Sequence, residues 1–503
     1  MTDSAPEPME SWTWPPRYDD AYRPAPGQRH WFPRRETMPA GQRDEAILGR
    51  IREIMDYAWE HSAFYREKWE QAGIHPSAVT SLADFEKVPV VRKDELRAEQ
   101  AAHEPFGRYL CVPEAEVKHV NGTSGTTGRP TAFGTSERDW RSIANAHARV
   151  MWAMGIRPDD TVLVASPLSL YWGSWGAYTG AERLGARVFP FGAGTTGQTA
   201  RTVRWMRQMG VSVFYGTPSY ALHVAEVAVD EGVDPASLGV RKLFFSGEPG
   251  ASIPSIRERI ASAFDAEVYD SGSMGEVSPW MHLGAAANEP GMLCWQDLVY
   301  TEVCDPADFR RVAYGSEGTP VYTTLERTSQ PMIRLLSGDL TRWEAPSAER
   351  GYTYPFLPRG IYGRIDDMFT IRGENVYPSA IDDVVMAASG YGGEHRIVIS
   401  RDDMMDELVV QVEYEDIVHA DAIPGWTAAL SGRLRTVLGI GATVVPVPQR
   451  TFDRTEFKAR RVIDDRDLHG SLVTGGAAGA GTAPGGSAPG GSVGGGSVGG
   501  GRP

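Results

Sequence analysis

Four hydroxyls, two glycines and a guanidinium fall within seven residues in the run Thr123-Ser124-Gly125-Thr126-Thr127-Gly128-Arg129. Glycines carry no Cβ, so backbone N–H groups can converge on anionic oxygens; the hydroxyls add donors and the arginine a fixed positive charge. The chemistry such a loop serves is the holding of a polyphosphate. Its spacing lacks the G-x-x-x-x-G-K-[ST] of the common nucleotide loop, which argues against a Walker-type ATPase. Ser, Thr and Gly also dominate ordinary solvated turns, so the elements around the run must decide.

Between Ile143 and Val268 helical patterns alternate with short β-rich runs: TVLVASP, ARVFPF, VSVFYG, KLFFSG and AEVYDS. Such alternation predicts a mostly parallel sheet with crossover helices. Ligands of open α/β sheets sit beyond the carboxyl ends of the strands, where Gly216-Thr217-Pro218, Ser246-Gly247-Glu248-Pro249 and Asp270-Ser271-Gly272 are expected to form one rim. From Asp44 to Ala72 apolar residues recur at three-to-four spacing, which predicts an amphipathic helix that serves as scaffold. After Val299 short strands with long turns (LVYTEVCDP, GTPVYTTL, MIRLLSGDLTRW) predict a β-rich subdomain.

The expected division is a disordered or extended arm over 1–28, with order starting near Trp31, and a large N-terminal α/β region over 29–362. A polar hinge follows at 363–367, then a small α+β domain over 368–468, where RIVIS, ELVVQVEY and ATVVPV alternate with helical runs. Residues 469–503 form a Gly/Ser/Pro/Ala tract that cannot bury apolar surface.

At 503 residues with 41% hydrophobic content the chain can build two or three cores. A formal net charge of -15 argues against nucleic acid or an anionic membrane as partner, so an anionic ligand needs a local cationic cluster. Three scattered cysteines, Cys111, Cys294 and Cys304, make no disulfide scaffold and point to a reducing compartment, with the cytoplasm as the expectation. The acidic, proline-rich start does not read as a signal peptide, and no apolar run reaches spanning length.

With these pieces placed, the chain resembles the adenylate-forming superfamily of acyl-CoA synthetases, most closely its phenylacetate-CoA ligase branch. The likeness runs from about Trp31 to Asp464. It is carried by FYREKWEQAG, LADFEKVPVVRKDELR, GAYTGAERLGARVFPFG, YGTPSYAL, SGEP, PMIRLLSGDLTRW, GRIDDMFTIRGENVYPSAID and TEFKARRVID in that order. The resemblance implies a large α/β region with mostly parallel sheets and a β-rich subdomain, plus a small mobile α+β domain. It also implies a two-step reaction in which a carboxylate attacks the α-phosphate of ATP, releasing pyrophosphate, and a thiol, usually that of CoA, then displaces AMP. An ionised carboxylate needs no general base; the first step needs positioning and charge neutralisation at phosphorus.

By position, the resemblance makes Thr123, Ser124, Gly125, Thr126, Thr127, Gly128 and Arg129 the loop over the β- and γ-phosphates, with Arg129 where lysine is usual. Asp339 is implied to accept the ribose hydroxyls, Arg364 to contact the nucleotide, and Ser246, Gly247, Glu248 and Pro249 to lie along adenine. Glu276 is the implied Mg²⁺ ligand. Over Asp270-Ser271-Gly272-Ser273-Met274-Gly275-Glu276 the acidic ends of the family pattern remain, with Gly272 replacing its aromatic and Gly275 its hydroxyl residue. Lys458 matches the catalytic lysine that bridges the α-phosphate and the substrate carboxylate, although a solvated lysine in the basic run 458–461 is the plain alternative. Rotation about Asp366 is implied to withdraw Lys458 and bring Arg372-Gly373 to the thiol channel.

Tyr171, Trp172, Trp175, Tyr178, Tyr215 and Tyr220, with Gly216 and Thr217, fall in the segments that match the acid pocket. Aromatic walls suit a flat ring, so an aryl or arylacetic acid is expected, although any one of these rings also suits an ordinary core. His282, Cys294 and Cys304 lack close metal-ligand spacing and read as buried free cysteines and a histidine. The expected partners are the acid and CoA, with a carrier-protein thiol, amine or hydroxyl as alternative acceptors, a homodimer as one admissible assembly, and a non-catalytic nucleotide-binding homologue as the lesser reading.

Overall fold

Three runs of β-formers, Thr161–Val164, Val213–Gly216 and Lys242–Phe245, are buried along nearly their whole length, which requires cover on both faces and hence a parallel sheet between helices. The computed structural model of the chain describes residues 13–123, 131–170, 172–192, 198–248, 250–284, 289–365, 369–372, 374–402, 405–454 and 461–466. Five helices lead in: α1 (Pro33–Glu36), α2 (Ala40–His61), α3 (Ala63–Gln71), α4 (Leu82–Phe85) and α5 (Lys93–Ala102). The single helix expected over 44–72 is thus two. Ser62 adopts extended backbone at the junction and its Oγ accepts from the Tyr65 amide at 3.2 Å, ending one helix and capping the next.

A hairpin of β1 (Val117–Gly122) and β2 (Ala132–Ser136) then precedes α6 (Glu137–Ala153), whose N-terminus Ser136 caps. The chain continues through β3 (Thr161–Val164), α7 (Trp172–Leu184), β4 (Arg187–Phe189), α8 (Thr199–Met209), β5 (Val213–Gly216), α9 (Pro218–Asp230), β6 (Lys242–Phe245), α10 (Pro254–Phe264) and β7 (Glu267–Met274). These strands pair in parallel in the order β7-β6-β5-β3-β4. From β4 at the edge the chain crosses to the far side of β3 to lay down β5, so the strand order reverses between β3 and β5, the place where an α/β sheet opens a crevice. Residues of α6 and α7 fill the core on one face, and residues of α8, α9 and α10 fill the other.

β8 (Ser278–Gly284) and β9 (Met292–Cys294) extend the sheet antiparallel from β7. β10 (Val299–Cys304), β11 (Glu317–Thr324), β12 (Leu335–Leu336) and β13 (Asp339–Arg342) form an antiparallel sheet, the expected β-rich part; β14 (Phe356–Leu357) returns to β9, and β15 (Gly363–Arg364) pairs with β13. The last unit holds the hairpin β16 (Phe369–Ile371)–β17 (Glu374–Val376), α11 (Pro378–Met386), β18 (Tyr391–Asp402), β19 (Met405–Tyr414), α12 (Ile423–Leu438), β20 (Thr443–Pro448) and β21 (Val462–Asp464), with the sheet order β20-β19-β18-β21.

From residue 13 the expected arm is tied down rather than loose. Tyr18 donates to Glu326, Arg23 Nε donates to the Leu184 carbonyl at 2.8 Å, and Trp14 packs edge-on against Tyr57. Residues 1–12 and 467–503 lie outside the described residues. Among those described, no helix is long and apolar enough to cross a membrane.

Candidate active site

Hairpin β1–β2 brings Thr123 and Thr131 together, the Thr123 amide donating to the Thr131 carbonyl at 3.1 Å. Ser124, Gly125, Thr126, Thr127, Gly128 and Arg129, which connect them, lie outside the described residues, as do Tyr171, Pro249, Asp366, Gly373 and Lys458. Thr123 faces the far end of β7, where a Cβ added to Gly275 would lie 3.0 Å from its Cγ2. A side chain at 275 would thus press on Thr123, which would have to give by a few tenths of an ångström.

Glu276, the expected metal ligand, is 6% exposed, and its Oε1 lies 4.0 Å from Lys93 Nζ in the first turn of α5. Arg327 closes the other side, Nη1 donating to the carbonyls of Glu276 and Val277 at 2.8 and 3.0 Å. Neither cation carries a local sequence signal. A buried carboxylate between a lysine and a tethered turn suits Mg²⁺, which takes oxygen ligands and supplies positive charge to phosphate oxygens when bound.

Asp339 and Arg364 face each other across the β13–β15 ladder. The Ile365 amide donates to the Gly338 carbonyl at 2.7 Å, and Gly338, at φ 77°, makes the turn that aims the aspartate. Two residues picked from separate motifs thus share one rim. Ser246 and Glu248 lie at the end of β6. Ser246 Oγ and Tyr215 OH are 2.6 Å apart, and Glu248 Oε1 accepts the Ser219 amide of α9 at 2.8 Å, where a carboxylate meets the positive end of the helix. That side chain is thus engaged within the chain, and Gly247 beside it sits at φ 96°.

Asp270 does not lie in a turn. β7 runs through it, leaving parallel pairing with β6 at Asp270 and entering antiparallel pairing with β8 at Ser271. Its carboxylate is 3% exposed, accepts from Ser252 Oγ and from the Ser271 amide, and is pushed up to about 7 by burial, a rise those two bonds and Arg257 offset only in part. Ser271 Oγ donates inward to the Phe245 carbonyl. Arg372 bonds within the small unit, Nε to the Asp406 carbonyl at 2.8 Å.

The described aromatic candidates do not form one box. Tyr215 and Tyr220 are 1% and 2% exposed, with their hydroxyls at Ser246 and at Thr202 Oγ1. Trp172 joins the core under α6 and α7, whereas Trp175 and Tyr178 stand at 6.2 Å from each other beside Trp140, which stacks on His119. Gly216 packs where a Cβ would meet the Phe214 ring at 2.9 Å, and Thr217 caps α9. Cys294 and Cys304 are buried, burial driving both thiols upward, the latter to about 12.

Where α9 and α10 face the small unit, a cavity of about 390 Å³ is lined by Pro218, Leu222, Ile256, Arg259, Tyr391 and Arg454. Ion pairs cross the same seam: Asp230 with Arg450 at 2.9 Å, Glu226 with Arg454 at 3.2 Å, Glu415 with Arg259 at 3.9 Å, and Asp383 with Arg359.

Comparison with known proteins gives these parts a common context. A family model described as "AMP-binding enzyme" matches residues 75–321, and one described as "AMP-binding enzyme C-terminal domain" matches 373–466. The phenylacetate-coenzyme A ligase of Pseudomonas putida is 32% identical over 424 residues, 83% of this chain and 93% of that protein. A crystal structure of 2-hydroxyisobutyryl-CoA ligase, in the postadenylation state with 2-HIB-AMP, is 59% identical over 92% of this chain and 98% of that one, with a TM-score of 0.88. The same ligase in the thioesterification state with 2-HIB-AMP and CoA, 60% identical over the same shares, gives 0.71.

Proposed function

This chain belongs to the AMP-binding enzyme family as an AMP-forming acyl-CoA ligase that uses ATP, Mg²⁺ and CoA, and we propose that its acid is a small branched 2-hydroxy acid of the 2-hydroxyisobutyrate type. The observation that carries the choice of acid is the 59% identity, over 92% of the chain, to a ligase that bears that acid's name. The fate of the aromatic rings supports it, because Tyr215 and Tyr220 lie in two different cores and, among the described residues, the candidate rings form no set of flat walls facing one another. An arylacetic acid is the second reading, favoured by relatives named phenylacetate-coenzyme A ligase at 30–32% identity.

In the proposed cycle Thr123 to Arg129 hold the β- and γ-phosphates, Asp339 takes the ribose hydroxyls with Arg364 beside it, and Glu276 holds Mg²⁺. A carboxylate oxygen of the acid bonds to the α-phosphorus as pyrophosphate leaves, with Lys458 neutralising the charge that gathers there. The small unit then turns about Asp366, and the thiol of CoA, losing its proton, displaces AMP from the acyl carbon. Arg372 and Gly373 come to the thiol channel in that turn.

ATP–pyrophosphate exchange over a panel of 2-hydroxyisobutyrate, isobutyrate, lactate, phenylacetate and benzoate tests the choice. The branched hydroxy acid is expected to lead; a lead for phenylacetate selects the second reading, and benzoate in front rejects both. Lys458→Ala is expected to lower exchange by roughly 100-fold or more while still converting supplied acyl-adenylate and CoA to thioester. Exchange unaffected in that variant removes the lysine from the mechanism.

A further inference from the structure

Arg327 buries a positive charge that the other described residues leave half engaged. It is 5% exposed, and among the described residues only its Nη1 is bonded, to two carbonyls of the β7–β8 turn. Nε and Nη2 are fully buried and have no hydrogen-bond partner among the described residues. Among the described residues no carboxylate forms an ion pair with it, whereas the equally buried Arg35 and Arg149 both meet Asp297. Burial holds the guanidinium down to about 10, a fall that the charges of Asp139 and Glu276 offset only in part. Trp172, the first residue of α7, lies with its ring centroid 5.0 Å from Arg327 Cζ, and its buried indole Nε1 has no partner among the described residues.

A buried cation with open donors is a costly arrangement in a chain on its own, and an anion that fits it removes the cost. The geometry of the unbonded edge is specific. Nε and Nη2 are the two donors along one edge of a guanidinium, the edge that grips a carboxylate with two parallel hydrogen bonds. ATP brings its charge on phosphates, for which Thr123 to Arg129 and the metal on Glu276 are the proposed holders. The acid brings a carboxylate, ionised at neutral pH.

We propose that Arg327 and Trp172 recognise the acid, the guanidinium edge taking its carboxylate before adenylation and the indole N–H donating to a hydroxyl on the adjacent carbon. The proposal rests on the acyl-CoA ligase reading and names two specificity-determining residues for it. Neither belongs to a motif that carried the family resemblance to nucleotide chemistry.

Initial rates of thioester formation, with acid and MgATP varied in turn, decide it. The acids are 2-hydroxyisobutyrate, isobutyrate and phenylacetate, and the wild type first shows which it uses, so a wrong choice of acid is read there and not in the variants. With the preferred acid, Arg327→Gln is expected to raise the acid KM by roughly 10- to 100-fold with the MgATP KM held within about threefold, and Arg327→Lys to recover part of the loss. Trp172→Phe is expected to weaken 2-hydroxyisobutyrate by about tenfold and isobutyrate hardly at all. The proposal is overturned for Arg327 if the two KM values rise together or the acid KM stays put, and for Trp172 if both aliphatic acids weaken equally. Should Arg327→Gln fail to fold, Arg327→Lys decides by the same ratio, because it keeps the charge and loses the two-donor edge.

Discussion

Asp270 shows how burial turns one carboxyl into a pH-sensitive element. A carboxyl of ordinary pKa near 4 in the unfolded chain is held at about 7 in the folded one, so between those values the native state keeps a proton that the unfolded state has lost. Its contribution to stability is therefore complete below about pH 4 and is lost as pH rises through about 7. Asp297 works in the opposite sense, because Arg149 and Arg35 hold its carboxyl below the usual range. The clean measurement is a difference. Unfolding free energies of wild type and Asp270→Asn in urea are expected to converge below about pH 4 and to part by pH 8 in favour of the amide, by on the order of 4 kcal/mol. A gap that does not change with pH counts against the assignment.

The elements of the site depend on anchors that perform no chemistry. Asp139 in the first turn of α6 is 1% exposed and accepts from the Thr328 amide at 2.9 and 3.0 Å, from Thr328 Oγ1 at 2.8 Å, from the Ser329 amide at 2.6 Å, and from Ser329 Oγ. These bonds fix the segment after β11 that carries Arg327 to the β7–β8 turn. Asp139→Ala strands two backbone donors in the interior and is expected to destabilise the large unit by about 2–4 kcal/mol in denaturant unfolding. A loss under about 0.5 kcal/mol would place the anchoring elsewhere. Gly275 is the complementary case at this scale, since Thr123 from another element comes within 3.0 Å of where its Cβ would be.

At the scale of the molecule, the arrangement of the two units matches a postadenylation ligase at a TM-score of 0.88 and a thioesterification one, of the same protein, at 0.71. The seam explains part of what holds it. Arg454 is fixed by Glu413 and the Gly392 carbonyl and reaches Glu226, while Arg450 reaches Asp230. Partly exposed pairs of this kind contribute about 0.2–1 kcal/mol each and weaken in salt. Glu226→Gln with Asp230→Asn is expected to speed thioester formation from supplied acyl-adenylate by roughly 2- to 10-fold, and about 0.5 M NaCl to bring the wild type toward the variant. Stopped-flow rates that are equal or lower in the variant would show that the seam does not restrain the turn.

The amino-acid order alone determined the parallel sheet, its crossover helices, the β-rich part after Val299 and the α+β unit, because each is written in periodicity over a few residues. It likewise marked Asp339 and Arg364 through their motifs, and the ladder that sets them face to face is the tertiary counterpart. What only the tertiary structure decided are relations between residues far apart in the chain: Lys93 beside Glu276, Arg327 over Trp172, and aromatic rings distributed among three environments. Such contacts follow from the order in which strands are laid down and from which faces the helices cover. A side chain's identity fixes what it can bond, but burial and neighbours fix whether that bond is made within the chain or left open for a ligand.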